Sequence, residues 1–150
     1  MEFSDLAIFA STDEILSELI GAGMLPIITH PERNARLGDR VDDIARWVEL
    51  GCYVQVTAGS CVGTFGRQAR SYVDGLMARG LVHFVASDAH DCGRRSPSLT
   101  AAHEALTASW GAPHVDPLFS DNPRAVLTGD TLDVDGPRPA KARKWYRFWS

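Results

Sequence analysis

The order of short apolar runs and amphipathic segments restricts this chain of 150 residues to few folds. Three β-rich runs, "LPIITH", "CYVQVT" and "LVHFVAS", alternate with segments whose apolar residues recur at helical spacing. A helix between two strands returns the chain across the sheet, so consecutive strands run parallel. The pattern therefore predicts an α/β fold built from βαβ units.

Five segments are predicted to be helical: 12–23, 39–51, 67–80, 96–111 and 121–129. The second ends at Gly51, and the last has Pro123 in its first turn, where proline is favoured. The glycine-rich stretch "AGSCVGTFG" is predicted to be a loop, and His114 is predicted to lie in another loop.

Composition restricts the class of partner. The formal net charge of −4 argues against nucleic acid as the main partner, because phosphate backbones bind basic surfaces. With 45% hydrophobic residues, the chain is long enough for one domain with a core. Cys52, Cys61 and Cys92 lack paired zinc-ligand spacing, which is typical of a reduced, cytoplasmic protein.

Candidate metal- and anion-binding side chains follow the ends of the predicted strands. His30 follows "LPIIT", and Asp88 and His90 follow "LVHFVAS". Parallel strands end at one edge of a sheet, so these side chains are expected on neighbouring strand ends. If the third strand continues, alternation places Asp88 and His90 on the same face. Carboxylate and imidazole ligands suit a divalent metal ion. Nearby guanidinium groups suit an anionic substrate, and they belong to Arg33, Arg94 and Arg95.

The same residues also have a structural interpretation. Asp88 would then cap a turn, His90 would lie on the surface of a loop, and His30 would pack at a strand end. Pro31 is expected to hold His30 in an extended backbone conformation. His83, on the opposite strand face from Asp88, is expected to pack or hydrogen-bond locally.

Three motifs together resemble one protein family. "LPIITHPERN", "VQVTAGSCVGTFG" and "GLVHFVASDAH", in this order, resemble the polymerase-and-histidinol-phosphatase (PHP) superfamily. Within it they are most similar to the bacterial tyrosine phosphatases of capsule and exopolysaccharide operons, the CpsB/CapC type, over Glu2 to Gly129. The resemblance implies a distorted, TIM-barrel-like (β/α)7 barrel and a metal-dependent phosphatase. Its substrate would be phosphotyrosine on the tyrosine autokinase that drives polysaccharide synthesis.

The resemblance also implies roles for individual residues. Glu2, in "MEF", would be a metal ligand together with His30, Asp88 and His90. The metal would be Mn²⁺, with Fe, Zn or Mg ions as alternatives. Arg33 of "HPER" and Arg95 before "SP" would be the catalytic residues that hold the phosphate of the substrate. Arg94 is expected to face solvent or the partner.

The chain departs from the family at its start. The H-x-H motif that opens these phosphatases has no counterpart here, so residues 1–136 are expected to form the C-terminal half of the domain, a partial barrel without its N-terminal strands. The chain is then a fragment, a protein whose start lies further upstream, or a degenerate copy. The alternative function is a non-catalytic remnant that binds a metal or a partner. The chain is also expected to form a homo-oligomer.

Two other chemistries stay open. Cys61 and Arg67 have the C-x5-R spacing of cysteine-dependent tyrosine phosphatases, in which a thiolate attacks phosphorus. Within the superfamily, histidinol-phosphate hydrolysis or nuclease activity is the other alternative.

The C-terminal tail, residues 137–150, interleaves basic and aromatic residues. Such a segment can dock peripherally on an anionic membrane surface or on an acidic partner. The alternative is an extension that lies across the domain or another subunit, or a flexible end.

Overall fold

A parallel sheet of three short strands lies at the centre of the fold. The strands are β1 (Ile27–Thr29), β2 (Tyr53–Thr57) and β3 (Phe84–Ala86), in the spatial order β1-β2-β3. Val56 on β2 lies opposite Val85 on β3. The computed structural model describes residues 1–4, 8–38, 40–93, 95–130 and 132. The α/β class with parallel strands is confirmed.

Helices connect and flank these strands. Within the described residues they are α1 (Thr12–Gly21), α2 (Val41–Leu50), α3 (Ala58–Cys61), α4 (Arg67–Ala78), α5 (Thr100–Trp110), α6 (Ala112–Phe119) and α7 (Asp121–Thr128). Helix α2 ends as expected, because Gly51 adopts a left-handed conformation (φ 115°) that residues with a Cβ atom avoid.

Two predicted loops are wrong. Residues 112–119 form α6, so His114 lies in a helix. Pro113 lies in the first turn, where its missing N–H has no intrahelical partner to lose, and Pro117 lies inside the helix, where it removes one intrahelical hydrogen bond. The first residues of the glycine-rich stretch also wind into α3, directly after β2.

The core lies between the sheet and the helices that cover it. Its largest fully buried side chains include Trp47, Leu16, Ile28, Leu37, Ile44, Leu76 and Met77. His83 is also buried, and its Nδ1 accepts a hydrogen bond from the Val54 N–H at 3.0 Å. Burial lowers the pKa of His83 to about 4, so its ring is neutral at neutral pH. The expected local role of His83 is confirmed.

The first residues of the chain lie beside the edge of β1 that β2 leaves open. The Thr29 N–H donates to the Met1 carbonyl at 3.0 Å, and the Met1 ammonium donates to the Ile27 carbonyl at 2.6 Å. Phe3 then stacks on Trp47, with 5.0 Å between ring centroids. Glu2 is thereby held next to the end of β1.

Two further expectations concern membranes and the tail. Among the helices described, none has the combination of length and apolar character that crossing a membrane requires. The predicted tail, residues 137–150, lies outside the described residues, and so does Arg94.

Candidate active site

Two candidate residues leave their strands with a left-handed backbone. Among the described residues other than glycine, His30 (φ 36°) and Asp88 (φ 51°) are those with positive φ. The extended conformation expected for His30 is therefore wrong. Its N–H still pairs with the Gln55 carbonyl of β2 at 2.7 Å, and the chain then turns at once into the single 3-10 turn Pro31–Arg33. Positive φ is unusual outside glycine and concentrates at functional sites.

The third strand stops before it reaches Asp88. β3 ends at Ala86, so strand alternation does not place Asp88 and His90 on one face, and a loop brings them together. The His90 Nδ1 lies 2.8 Å from the Asp88 backbone oxygen, which can only accept, so Nδ1 carries the proton. The Nε2 of His90 is therefore the lone-pair nitrogen, the atom that could bind a metal.

Asp88 joins two arginines from different loops. Arg33, from the turn after β1, and Arg95, from the loop after β3, both donate to the same carboxylate oxygen, Oδ2. The other oxygen, Oδ1, lies 3.9 Å from the His90 Nδ1. Partial burial raises the pKa of Asp88, but the charge of Arg95 and the hydrogen bond from Arg33 outweigh burial and lower it overall. Asp88 is therefore ionised at neutral pH.

Arg95 has a buried donor without a partner in the described part of the chain. Its loop is closed by Asp91, whose Oδ1 accepts from the N–H groups of Gly93 (2.7 Å) and Arg95 (3.2 Å). The Arg95 Nε is buried and has no hydrogen-bond partner among the described residues. A buried donor without a partner is costly. An oxygen atom of a ligand would satisfy it.

The four proposed metal ligands form two pairs. The His30 Nε2 lies 3.4 Å from the Glu2 Oε1, and His90 lies beside Asp88. Within the described part of the chain, no group of three or more His, Cys, Asp or Glu side chains could hold a metal ion. Imidazole and carboxylate are the correct donor types for Mn²⁺ or Zn²⁺. The described residues therefore supply part of a coordination sphere, and the assignment of Glu2, His30, Asp88 and His90 stays a prediction.

Glu32 is a site residue that the sequence analysis missed. It is 6% exposed, and its Oε1 accepts from the Thr57 N–H at 2.9 Å and the Ser60 hydroxyl at 2.8 Å. Burial raises the pKa of Glu32, and these two hydrogen bonds lower it less than burial raises it. Glu32 thus ties the turn after β1 to β2 and α3. The sequence signal was a charged residue between two candidate site residues, His30 and Arg33.

Cys61 is not suited to be a nucleophile. It is 3% exposed at the end of α3, and its Sγ donates to the Thr57 carbonyl at 3.5 Å. Burial, and next the charge of Glu32, raise the pKa of Cys61 to about 12. Catalytic thiolates instead need a lowered pKa. Arg67 is exposed at the start of α4.

Phe65 lines two cavities, one with Arg33 and one with Arg95. The guanidinium carbon of Arg33 lies 4.3 Å from the centroid of the Phe65 ring. One cavity, of about 310 Å³, is lined by Phe65 and Arg33. The other, of about 200 Å³, is lined by Phe65 and Arg95. Each cavity therefore combines a guanidinium group with the aromatic ring of Phe65.

Comparisons with known proteins agree on one family. Residues 1–128 match the family described as capsular polysaccharide synthesis, CpsB/CapC. The chain is 31% identical over 137 residues to the tyrosine-protein phosphatase YwqE of Bacillus subtilis, covering 91% of this chain and 54% of YwqE. It is 29% identical over 136 residues to the tyrosine-protein phosphatase CpsB of Streptococcus pneumoniae, covering 85% of this chain and 54% of that protein.

The fold has a solved counterpart. It superimposes with a TM-score of 0.84, at 31% identity, on a crystal structure from the work on YwqE and CpsB, described there as unique metal-dependent tyrosine phosphatases. The match covers 93% of this chain and 56% of that one. The chain thus spans about half the length of the relatives that it matches.

Proposed function

Because this chain belongs to the CpsB/CapC family of capsular polysaccharide synthesis, we propose that it carries part of the active site of a metal-dependent protein-tyrosine phosphatase. Residues 1–136 would be the C-terminal half of a PHP-type (β/α)7 barrel, and 137–150 a separate tail. The substrate would be a phosphotyrosine protein, the tyrosine autokinase of capsule or exopolysaccharide synthesis.

The convergence of Arg33 and Arg95 carries this proposal. Two guanidinium groups from different loops share one carboxylate, so the cluster keeps an excess of one positive charge on a chain whose net charge is −4. A phosphate monoester carries nearly two negative charges near neutral pH. Planar guanidinium groups match its oxygens in pairs, and the unused Nε donor of Arg95 adds capacity for a further bond.

The metal ligands would be the two pairs described above. Glu2 with His30, and the Asp88 Oδ1 with the His90 Nε2, would hold Mn²⁺ or a similar divalent ion. When bound, such an ion supplies a nucleophilic water of lowered pKa beside the phosphate. The chain's own contribution is to orient these donors and to neutralise the phosphate oxygens with Arg33 and Arg95. The donors that complete the coordination sphere would come from outside the described residues.

The test is binding of inorganic phosphate to the purified chain, measured by calorimetry. Arg33→Ala and Arg95→Ala should each weaken binding by roughly 10- to 100-fold, because each removes a charge-assisted contact. Lysine should rescue poorly at either position, since its point charge lacks the paired donors.

The matched controls are Arg67→Ala and Cys61→Ser, which together remove the C-x5-R pair. Both should bind phosphate as the wild type does. If these controls lose phosphate binding while Arg33→Ala and Arg95→Ala keep it, phosphate binds at Cys61 and Arg67, as in the cysteine-dependent alternative.

The division of the ligands into two pairs supports a second candidate function, a non-catalytic module that binds phosphotyrosine. The phosphatase would hydrolyse a phosphotyrosine peptide, whereas the module would only bind it. Phosphate binding without Mn²⁺-dependent hydrolysis of a phosphotyrosine peptide would favour the module, and hydrolysis abolished by a chelator would favour the phosphatase.

A further inference from the structure

We propose that Phe65 contacts the aromatic ring of the substrate, and that the cavity between Phe65 and Arg95 holds this ring. The site would then select aryl phosphate monoesters over alkyl ones. The inference rests on the proposed function, because Arg33 and Arg95 must bind the phosphate. The inference adds that Phe65 recognises the aromatic ring to which the phosphate is attached.

Phe65 occupies a position that core packing does not explain. Its side chain is 37% exposed and is not part of the buried hydrophobic cluster. It still has a defined place, because Arg33 lies over its ring at 4.3 Å. An aromatic side chain exposed beside a phosphate-binding arginine can contact a ligand without first leaving the core.

Gly59 helps to hold the ring in this place. A Cβ atom built on Gly59 would lie 2.7 Å from the Cε2 of Phe65, closer than carbon atoms can approach. The ring therefore packs against the backbone of α3, and only glycine at position 59 leaves room for it. Replacing Gly59 would displace the ring without removing it.

The cavity on the Arg95 side fits a phenyl group in size and lining. Its volume is about 200 Å³, and an apolar cavity of about 150 Å³ can hold benzene. Its walls include Ala58, Val62, Phe65 and Ala101, and Arg95 and Ser87 lie among its lining residues. The cavity beside Arg33 is lined by more polar groups, such as Asn34 and Gln68. A tyrosyl ring with its phosphate at Arg95 therefore fits the cavity on the Arg95 side better.

The experiment compares three ligands by calorimetry on the intact chain: phenyl phosphate, ethyl phosphate and inorganic phosphate. The wild type should bind phenyl phosphate about tenfold more tightly than ethyl phosphate, because a favourable aromatic pair contributes up to roughly that factor. In Phe65→Leu the ratio should fall to about twofold or less, while binding of inorganic phosphate changes little.

Three further variants keep the test interpretable. Phe65→Tyr retains the ring and should keep the preference. Gly59→Ala should reduce it, since the ring must move. Phe9→Leu changes an exposed phenylalanine that lines neither cavity and should leave the preference intact. Thermal unfolding within a few degrees of the wild type shows that each variant is folded.

The outcomes separate this inference from the proposed function. Phosphate binding with no aryl preference in the wild type, or a preference that survives in Phe65→Leu, would overturn the role of Phe65 and leave the arginine site in place. An equal loss for all three ligands in Phe65→Leu would show that the ring only positions Arg33, and would also overturn the inference. If the wild type binds no phosphate at all, both the role of Phe65 and the proposed arginine site are wrong.

Discussion

Asp88 makes two different sets of contacts with its two oxygens. Oδ2 accepts from Arg33 and Arg95, and Oδ1 faces His90. The proposed phosphate-binding groups and the proposed metal ligands therefore meet on one residue. Replacing Asp88 would disturb both at once, whereas the arginines can be changed without removing a metal donor. This difference makes the arginine variants the cleaner probes of anion binding.

A prediction at the residue scale concerns His83. Its folded-state pKa is about 4 against an ordinary value of 6.5, so the unfolded chain binds more protons between these pH values. The free energy of unfolding should therefore fall as the pH drops through this window, by roughly 2 kcal/mol between pH 7 and pH 5. Urea unfolding at the two pH values measures this loss.

The variant His83→Gln keeps a hydrogen-bond acceptor but cannot take up the proton. Its loss of stability between pH 7 and pH 5 should be smaller than that of the wild type by about the same amount. Gln68→Ala, which changes a side chain that does not titrate, is the control and should keep the wild-type pH dependence. Equal pH dependence in His83→Gln and the wild type would contradict the assignment.

At the scale of elements, Glu32 connects the turn after β1 to the end of β2 and to α3. The Thr57 N–H and the Ser60 hydroxyl both donate to one buried oxygen. Glu32→Ala leaves these two groups without their partner and should lower the free energy of unfolding by about 1–3 kcal/mol. Denaturant unfolding measures this change.

Ser60→Ala is the graded comparison, because it removes one of the two donors and should cost about 1 kcal/mol. The double variant should be less destabilised than the sum of the two single variants by about 0.5–1 kcal/mol, since both remove the same contact. Strict additivity would mean that Glu32 and Ser60 act independently and that Glu32 does not join the turn to α3.

The elements that local patterns define could be predicted from the sequence. Helix α2 has clear apolar periodicity and ends at Gly51, and β2 is a run of β-formers. Helix α6 could not be predicted in this way, because its two prolines suggest a loop when the helix boundary is unknown. Helix α3 is joined through Ser60 to Glu32, which is 28 residues away along the chain. Such a contact leaves no local periodicity.

At the scale of the whole molecule, the parallel sheet explains why the candidate site could be located. The ends of β1 and β3 bring His30 and Asp88 to one edge, as expected for parallel strands. The expectation that they follow neighbouring strands is wrong, because β2 lies between β1 and β3. The left-handed backbone of both residues and the shared contacts of Asp88 arise from tertiary packing. Sequence patterns therefore placed His30 and Asp88 at a common edge of the sheet, but not their contacts; their roles stay predictions.

The last prediction concerns metal binding by the intact chain. Because the described residues offer four proposed donors, about the number that a single ion takes, we expect at most one Mn²⁺ per chain, measured by calorimetry or electron paramagnetic resonance. His30→Ala should weaken binding by on the order of tenfold or more, since losing a ligand costs at least as much as losing a group that orients one.

His103→Ala is the control for this measurement, because His103 pairs with Asp116 on α6, away from the sheet edge. It should bind Mn²⁺ like the wild type. Unchanged binding in His30→Ala, or two tightly bound ions per chain, would place the metal site on other residues.

The turn Pro31–Arg33 has a consequence for how the length of such chains can vary. The side chains of its consecutive residues point to different parts of the fold. Glu32 is buried against β2 and α3, and Arg33 contacts Asp88 in the loop after β3. Deleting one residue before Glu32 would bring the arginine to the buried position, and inserting one there would bring the carboxylate to Asp88. Length variation among homologous chains is therefore expected after Asn34. In a homologous chain with a turn of different length, this edge of the sheet is expected to have a different function.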